Sequence, residues 1–180
     1  MKKKKRNFNA RFWSGTKKHS VPGLLEAFFQ FNDLAIVKEA LSAMMQCSVE
    51  KNARIKDYPS EVFHLHQSLR SLVRAGRVIG EKAGEWTVLP PAESHAPAPG
   101  MGLLSEEEYR EPLRVFRKAF KTCRPGEFDD FLASVVYFSL GDAAVGEEQR
   151  LIRPYLHLAK MLDAAYLIVQ RGMKGKEDAS

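Results

Sequence analysis

The chain has 180 residues, of which 44% are hydrophobic and 28% charged, and this balance excludes a disordered, collagen-like or disulfide-stapled protein. No apolar run approaches the roughly 18 to 20 residues that cross a bilayer, so we expect a protein without a membrane partner. The two cysteines, Cys47 and Cys123, lie far apart and match no disulfide or metal motif, which predicts a reduced, cytoplasmic protein.

The net charge of +6 is unevenly distributed along the chain. Residues 1–90 carry 16 Lys or Arg and 8 Asp or Glu, whereas residues 91–180 carry 12 and 14. A basic half joined to a mildly acidic one indicates a polyanionic partner. Five basic residues stand in the first six positions: Lys2, Lys3, Lys4, Lys5 and Arg6. We expect residues 1–20 to form a flexible basic arm that either attracts phosphates or serves only as a solubilising tail.

Two helices are predicted after the arm. The spacing of the apolar residues from Leu24 to Phe31 indicates a short buried helix. A second helix follows, with Asp33 as its N-terminal cap, and continues to Cys47. Residues 48–57 are mostly polar and fit either a loop or one irregular helical turn.

The clearest helical pattern of the chain begins at Pro59 and Ser60. Its apolar residues recur at helical spacing along one stripe: Val62, Leu65, Leu69, Leu72 and Val73. Gly76 is predicted to end this helix, since glycine readily adopts the left-handed conformation that closes helices. The alternating residues that follow predict a short β-hairpin over residues 77–89, with its turn at residues 80–84.

Proline and glycine are dense in residues 91–102, which predicts a linker between a domain at 21–90 and another at 103–172. Ser105 and the glutamates after it are typical of a helix start. Pro112 either kinks that helix or marks its effective beginning near Glu111. Two further helices, the last at about 147–171, complete a predicted three-helix bundle, with a polar tail at 173–180.

The last predicted helix has more apolar surface than a three-helix bundle needs. The residues beyond its main stripe are Leu156, Met161, Leu167 and Ile168. Self-association, docking on the N-terminal domain, or a small-molecule pocket could each account for them.

One segment resembles a known family. The stretch Leu69–Val78, followed by Gly84-Glu85-Trp86, resembles the end of the recognition helix and the wing of winged helix-turn-helix proteins. This resemblance implies a mainly α protein with a winged-helix-like N-terminal domain, whose third helix lies in the DNA major groove. The predicted outward face of that helix is polar and basic: His64, Gln67, Ser68, Arg70, Ser71 and Arg74. Such residues can contact base edges, while Arg77 and Lys82 reach phosphates from the hairpin.

The sequence therefore favours a non-catalytic nucleic-acid-binding protein, with duplex DNA as the expected partner and no cofactor. Its C-terminal bundle would form a homodimer or recruit a protein partner. One alternative is a protein-protein adaptor that does not bind nucleic acid. A third is a helical ribonuclease acting through Arg153 and His157, which resemble the Arg/His pairs of that class. No metal site is expected, since His64 and His66 point to opposite sides of one helix.

Overall fold

The computed structural model describes residues 20–55, 59–91 and 102–175. Within these ranges the protein is mainly α-helical with one small antiparallel sheet, which confirms the predicted helical class. The elements are α1 (Val21–Phe31), α2 (Leu34–Val49), α3 (Pro59–Glu81), β1 (Trp86–Val88), α4 (Glu106–Arg110), α5 (Leu113–Thr122), α6 (Pro125–Leu140), α7 (Gln149–Arg171) and β2 (Met173–Gly175). The predicted basic arm, apart from Ser20, and the proposed linker at 92–101 lie outside the described residues.

The two N-terminal helices begin at capped residues. Ser20 precedes α1, and its hydroxyl accepts a hydrogen bond from the Gly23 amide at 3.2 Å. The predicted cap at Asp33 is confirmed, because its carboxylate accepts hydrogen bonds from the amides of Ala35 and Ile36 at 2.8 and 3.1 Å. In the segment 48–57, for which the sequence fits a loop or a helical turn, Ser48 and Val49 belong to α2 and residues 50–55 form a loop. Residues 56 and 57 lie outside the described residues.

Helix α3 extends beyond its predicted end. It continues through Gly76 to Glu81, so the predicted stop at Gly76 is wrong. A Cβ atom at Gly76 would lie 2.8 Å from Cδ1 of Phe116, and one at Gly80 would lie 3.2 Å from the Phe116 carbonyl oxygen. Both glycines therefore allow α3 and α5 to approach closely. A glycine within a helical pattern can thus serve close helix packing instead of ending the helix.

The predicted β-hairpin over residues 77–89 is also wrong. Residues 77–81 belong to α3, and β1 pairs instead with β2, with Thr87 opposite Lys174. The first residues of the predicted polar tail thus form a strand that is distant in sequence from its partner. Gly172 follows the end of α7 with a φ of 84°, and the chain then turns into β2.

The region after residue 102 contains a reciprocal helix cap. The hydroxyl of Ser105 accepts a hydrogen bond from the Glu108 amide at 3.2 Å, and the Glu108 carboxylate accepts one from the Ser105 amide at 3.1 Å. Helix α4 ends at Arg110 and α5 begins at Leu113, so Pro112 separates two helices rather than kinking one. Proline has no amide hydrogen and cannot donate to the carbonyl four residues earlier.

Buried apolar residues from both sides of residues 92–101 belong to one hydrophobic cluster. Helix α2 packs on α6, α3 packs on α5 and α6, and α7 contacts both N-terminal helices as well as α5 and α6. Of the extra apolar residues on α7, Met161, Leu167 and Ile168 are buried, while Leu156 remains half exposed. Other helices of the same chain therefore cover most of the extra apolar surface of α7.

An ion pair inside this core connects α2 to α7. The Lys38 ammonium donates to the Asp163 carboxylate at 2.6 Å, and Asp163 is fully buried. Burial raises the pKa of Asp163, while the hydrogen bond from Lys38 acts in the opposite direction. The pair fixes the relative position of two helices from opposite ends of the chain.

Candidate functional site

The residues of the predicted outward face of α3 are only partly exposed to solvent, and some of them are buried. His64 and Arg74 are exposed, and Gln67 is partly exposed. Ser68 and Ser71 are buried, and their hydroxyls donate to the carbonyl oxygens of His64 and Gln67 at 2.8 and 3.1 Å. These hydroxyls bond to the backbone of their own helix, so they do not line a surface that a DNA groove could meet.

Arg70 is directed toward α6 rather than toward solvent alone. Its guanidinium donates to the Asp129 carboxylate at 2.9 Å. His66 lies half buried beside this pair, and its pKa is lowered first by burial and then by the positive charge of Arg70, with Asp129 opposing. Helix α6 therefore borders the flank of α3 that carries Arg70.

The two residues expected to reach phosphates from the hairpin form local ion pairs. Arg77 donates to Glu81 at 2.7 Å within α3, and Lys82 donates to Glu85 at 2.8 Å in the turn that follows. Both pairs are solvent-exposed and weak, so phosphate could replace either carboxylate. The remaining predicted contacts, at residues 2–6, lie outside the described residues.

The described residues carry no net charge, with 18 Lys or Arg and 18 Asp or Glu. Residues 1–19, by contrast, carry eight Lys or Arg and no Asp or Glu. The positive excess of the chain therefore belongs to residues outside the described ranges.

A pocket of about 510 Å³ opens between α4, α5 and α7. We call it the cationic pocket, and its lining residues are Glu108, Val115, Lys118, Ile152, Arg153, Leu156, His157 and Lys160. Arg153 and His157 had been singled out from the sequence because they lie four residues apart. Lys118 and Glu108 come from other helices, and nothing in the sequence predicted that they join this pair.

Glu108 organises the charges of the cationic pocket. Its side chain is buried, and its two carboxylate oxygens accept from Lys118 at 3.0 Å and from Lys160 at 2.7 Å. Burial raises its pKa, but the hydrogen bonds from Lys160, the Ser105 amide and Lys118 outweigh burial and hold the pKa at about 2. Glu108 is therefore ionised at neutral pH and fixes two ammonium groups beside each other.

His157 supplies an imidazole to the cationic pocket, and its side chain is partly buried. Its pKa is lowered by burial and by the charges of Lys160 and Arg153, with Glu108 opposing. The imidazole is therefore neutral at pH 7. Three cationic side chains, Lys118, Arg153 and Lys160, line the same pocket. The arrangement is suited to holding an anion.

An apolar groove of about 620 Å³ lies between α2 and α3. Its lining residues are Asn32, Ile36, Val37, Ala40, Ala43, Met44, Ile55, Ser60, Glu61, Val62, His64 and Leu65. Ile36 is 66% exposed, and two large residues next in sequence to lining residues, Phe31 and Phe63, are 65% and 52% exposed. Exposed apolar side chains grouped around a groove are typical of a protein-binding surface.

The described residues include no group of three or more His, Cys, Asp or Glu side chains placed to hold a metal ion. Cys47 and Cys123 are free thiols, and burial is the main cause that raises the pKa of each. A raised pKa favours the protonated thiol over the thiolate.

Comparison of the chain with protein-family models, curated proteins and solved structures gives no match. Among the described helices, none combines the length and apolar character required to span a membrane.

Proposed function

We propose that this is a non-catalytic nucleic-acid-binding protein that holds duplex DNA by phosphate contacts from its N-terminal basic residues. The observation that carries the proposal is the charge distribution, with a neutral set of described residues and eight basic residues without a carboxylate in residues 1–19. Such a segment neutralises phosphates and releases their counterions, and this contribution does not depend on base sequence.

Base reading by α3 receives little support from the geometry. Ser68 and Ser71 are buried, and Arg70 is paired with Asp129. Exposed Arg74 can still add a phosphate contact, but one cation contributes far less than a cluster. The winged-helix resemblance and the C-terminal three-helix bundle stay predictions and carry no part of this proposal.

Neutralising the N-terminal cluster should weaken DNA binding and reduce its dependence on salt. We expect a variant with Lys2, Lys3, Lys4, Lys5 and Arg6 changed to Gln to lose about four units of the slope of log K against log salt concentration. Fluorescence anisotropy with a labelled duplex, measured over a range of salt concentrations, gives both quantities. The matched control is Arg74→Ala, which should keep an affinity close to that of the wild type.

Two results would contradict this proposal. DNA binding that does not respond to salt, or no DNA binding at all, removes the electrostatic interface. A large loss of DNA affinity caused by Arg74→Ala, together with little effect of the N-terminal variant, would place the interface on α3. In a separate incubation of the protein with RNA, we expect the RNA to stay intact, whereas RNA cleavage that His157→Ala abolishes would favour the ribonuclease alternative.

A second candidate is a protein-protein adaptor, and the apolar groove between α2 and α3 favours it. Grooves of this kind accept an amphipathic helix, whose apolar residues at i, i+3 or i+4, and i+7 enter in place of water. The exposed Phe31, Ile36 and Phe63 would extend the contact beyond the groove itself. The half-exposed Ile152 and Leu156 on α7 are among the exposed apolar residues that a homodimer could use.

Selection of a displayed random-peptide library on the intact protein tests the adaptor role. Peptides with apolar residues at helical spacing should be enriched on the wild type and lost on Ile36→Asp, since a carboxylate in the groove disfavours apolar contact. Tyr137→Asp is a control outside the groove, because Tyr137 is also a highly exposed apolar residue but does not line the groove. Equal enrichment on all three proteins would count against a specific groove.

A further inference from the structure

We propose that the cationic pocket between α4, α5 and α7 is a binding site for a phosphate group. Its donors are Lys118, Lys160 and Arg153, and the apolar edge formed by Ile152 and Leu156 contacts the molecule that carries the phosphate. The inference is independent of the proposed function, since it uses described residues of the helical body rather than residues 1–19.

The donors of the pocket exceed what its carboxylate uses. An ammonium group has three N–H donors, and Lys118 and Lys160 each direct one hydrogen bond to Glu108. Arg153 is exposed and makes no hydrogen bond or ion pair with another described residue, so its five donors are available. Three cations and one carboxylate leave two positive charges when His157 is neutral.

This excess matches a phosphate better than a singly charged anion. A phosphate monoester carries close to two negative charges at neutral pH and offers three acceptor oxygens. It can therefore accept from two ammonium groups and a guanidinium at once, and such charge-assisted hydrogen bonds are the strong ones. Glu108 is buried and accepts three hydrogen bonds, of which each lysine supplies one, so the remaining N–H donors of both lysines stay available to the ligand.

Glu108 also prepares the site before a ligand arrives. The shared carboxylate holds the ends of Lys118 and Lys160 at 3.0 and 2.7 Å from its two oxygens. Long lysine side chains lose conformational entropy when a ligand orders them, and part of that loss has already occurred here. Arg153 adds the third direction of contact from α7.

The neighbours of the pocket restrict where the ligand charge can lie. Arg153 also lines a second groove that contains Glu127 and Asp130, whose carboxylates repel an anion. The favourable position is therefore on the other side of Arg153, beside Lys160 and His157. Ile152 and Leu156, 48% and 47% exposed, border that position and can pack against the apolar part of the ligand.

Titration of the full chain with inorganic phosphate, followed by NMR of the His157 side chain, tests the site. A bound dianion should raise the pKa of His157, whose present neighbours are Lys160, Arg153, Glu108 and Lys118. By linkage, protonation of His157 should favour binding of the phosphate dianion. Arg153→Gln and Lys118→Gln should each weaken binding about tenfold. Arg150→Gln is the matched control, because Arg150 lies on the same helix but does not line the cationic pocket.

The source of the phosphate is decided by comparing inorganic phosphate with a short oligonucleotide, with and without a 5′-phosphate. Tighter binding of the 5′-phosphorylated form than of both other probes identifies a nucleic-acid end, whereas equal binding of free phosphate identifies a small ligand. Either result supports the site. No saturation below about 10 mM phosphate, or an equal loss caused by Arg150→Gln, overturns it. If the N-terminal variant loses duplex DNA binding but still binds phosphate, the proposed function and the phosphate site are shown to be separate, and the site is supported.

Discussion

Replacing Gly76 by leucine should lower the free energy of unfolding by about 3 kcal/mol, since the site is already filled by a neighbouring helix. A Cβ atom at Gly76 would lie 2.8 Å from Cδ1 and 3.0 Å from Cε1 of Phe116, and 3.5 Å from the sulfur of Met161. Phe116 is fully buried, so any shift of its ring must displace other core side chains. The leucine therefore forces α3 away from α5 and disturbs the core between them.

Urea unfolding followed by circular dichroism measures this effect, with Gly84→Ala as the matched control. Apart from Gly84 itself and its two neighbours in sequence, no atom lies within 4 Å of a Cβ at Gly84. The free energy of unfolding of that variant should therefore differ from the wild type by less than about 0.5 kcal/mol, or be slightly higher. A Gly76→Leu protein as stable as the wild type would contradict the close approach of the two helices at Phe116. Combining Gly76→Ala with Phe116→Leu should restore part of any loss that Gly76→Ala causes, since the smaller side chain makes room.

The same glycine explains what the sequence could and could not predict about the fold. Apolar residues at helical spacing located the helices, and short-range caps at Asp33 and Ser105 located two starts, because these signals are local. A glycine that ends a helix and a glycine that lets another helix approach are identical in sequence. Gly76 was therefore assigned the wrong role, and the strand at residues 86–88 was given a nearby partner instead of residues 173–175.

The sequence could predict those parts of the candidate sites whose residues lie on the same helix. Arg153 and His157 could be paired from the sequence of a single helix, and both line the cationic pocket. Lys118 and Glu108 join them only because α4, α5 and α7 meet in three dimensions. On α3 the difficulty was the reverse: Ser68 satisfies a polar pattern in sequence, yet it is buried by tertiary packing. Polarity at a helical position does not show which other helices cover it.

The Glu108→Gln variant should be less stable than the wild type by about 2 to 3 kcal/mol at pH 7. Glutamine keeps nearly the same shape but lacks the negative charge that binds Lys118 and Lys160, leaving two ammonium groups beside each other without a carboxylate. The pKa of Glu108 in the folded protein is about 2, against an ordinary value of 4.5. That difference corresponds to roughly 3 kcal/mol at most, and the half-exposed Lys118 makes the smaller figure reasonable because solvent screens its charge.

The pH dependence of this loss identifies its electrostatic origin. A carboxyl group whose pKa is lower in the folded than in the unfolded chain stabilises the fold above the unfolded pKa, and this contribution disappears as pH falls toward the folded value. The stability difference between wild type and Glu108→Gln should therefore be full at pH 7 and 6 and should shrink between about pH 4.5 and 2. Urea unfolding at successive pH values measures it. Glu106→Gln on the same helix is the control, since Glu106 is exposed and pairs with exposed Arg110, and it should cost less than about 0.5 kcal/mol. A difference that stays constant down to pH 3 would mean that Glu108 acts through packing rather than through its charge.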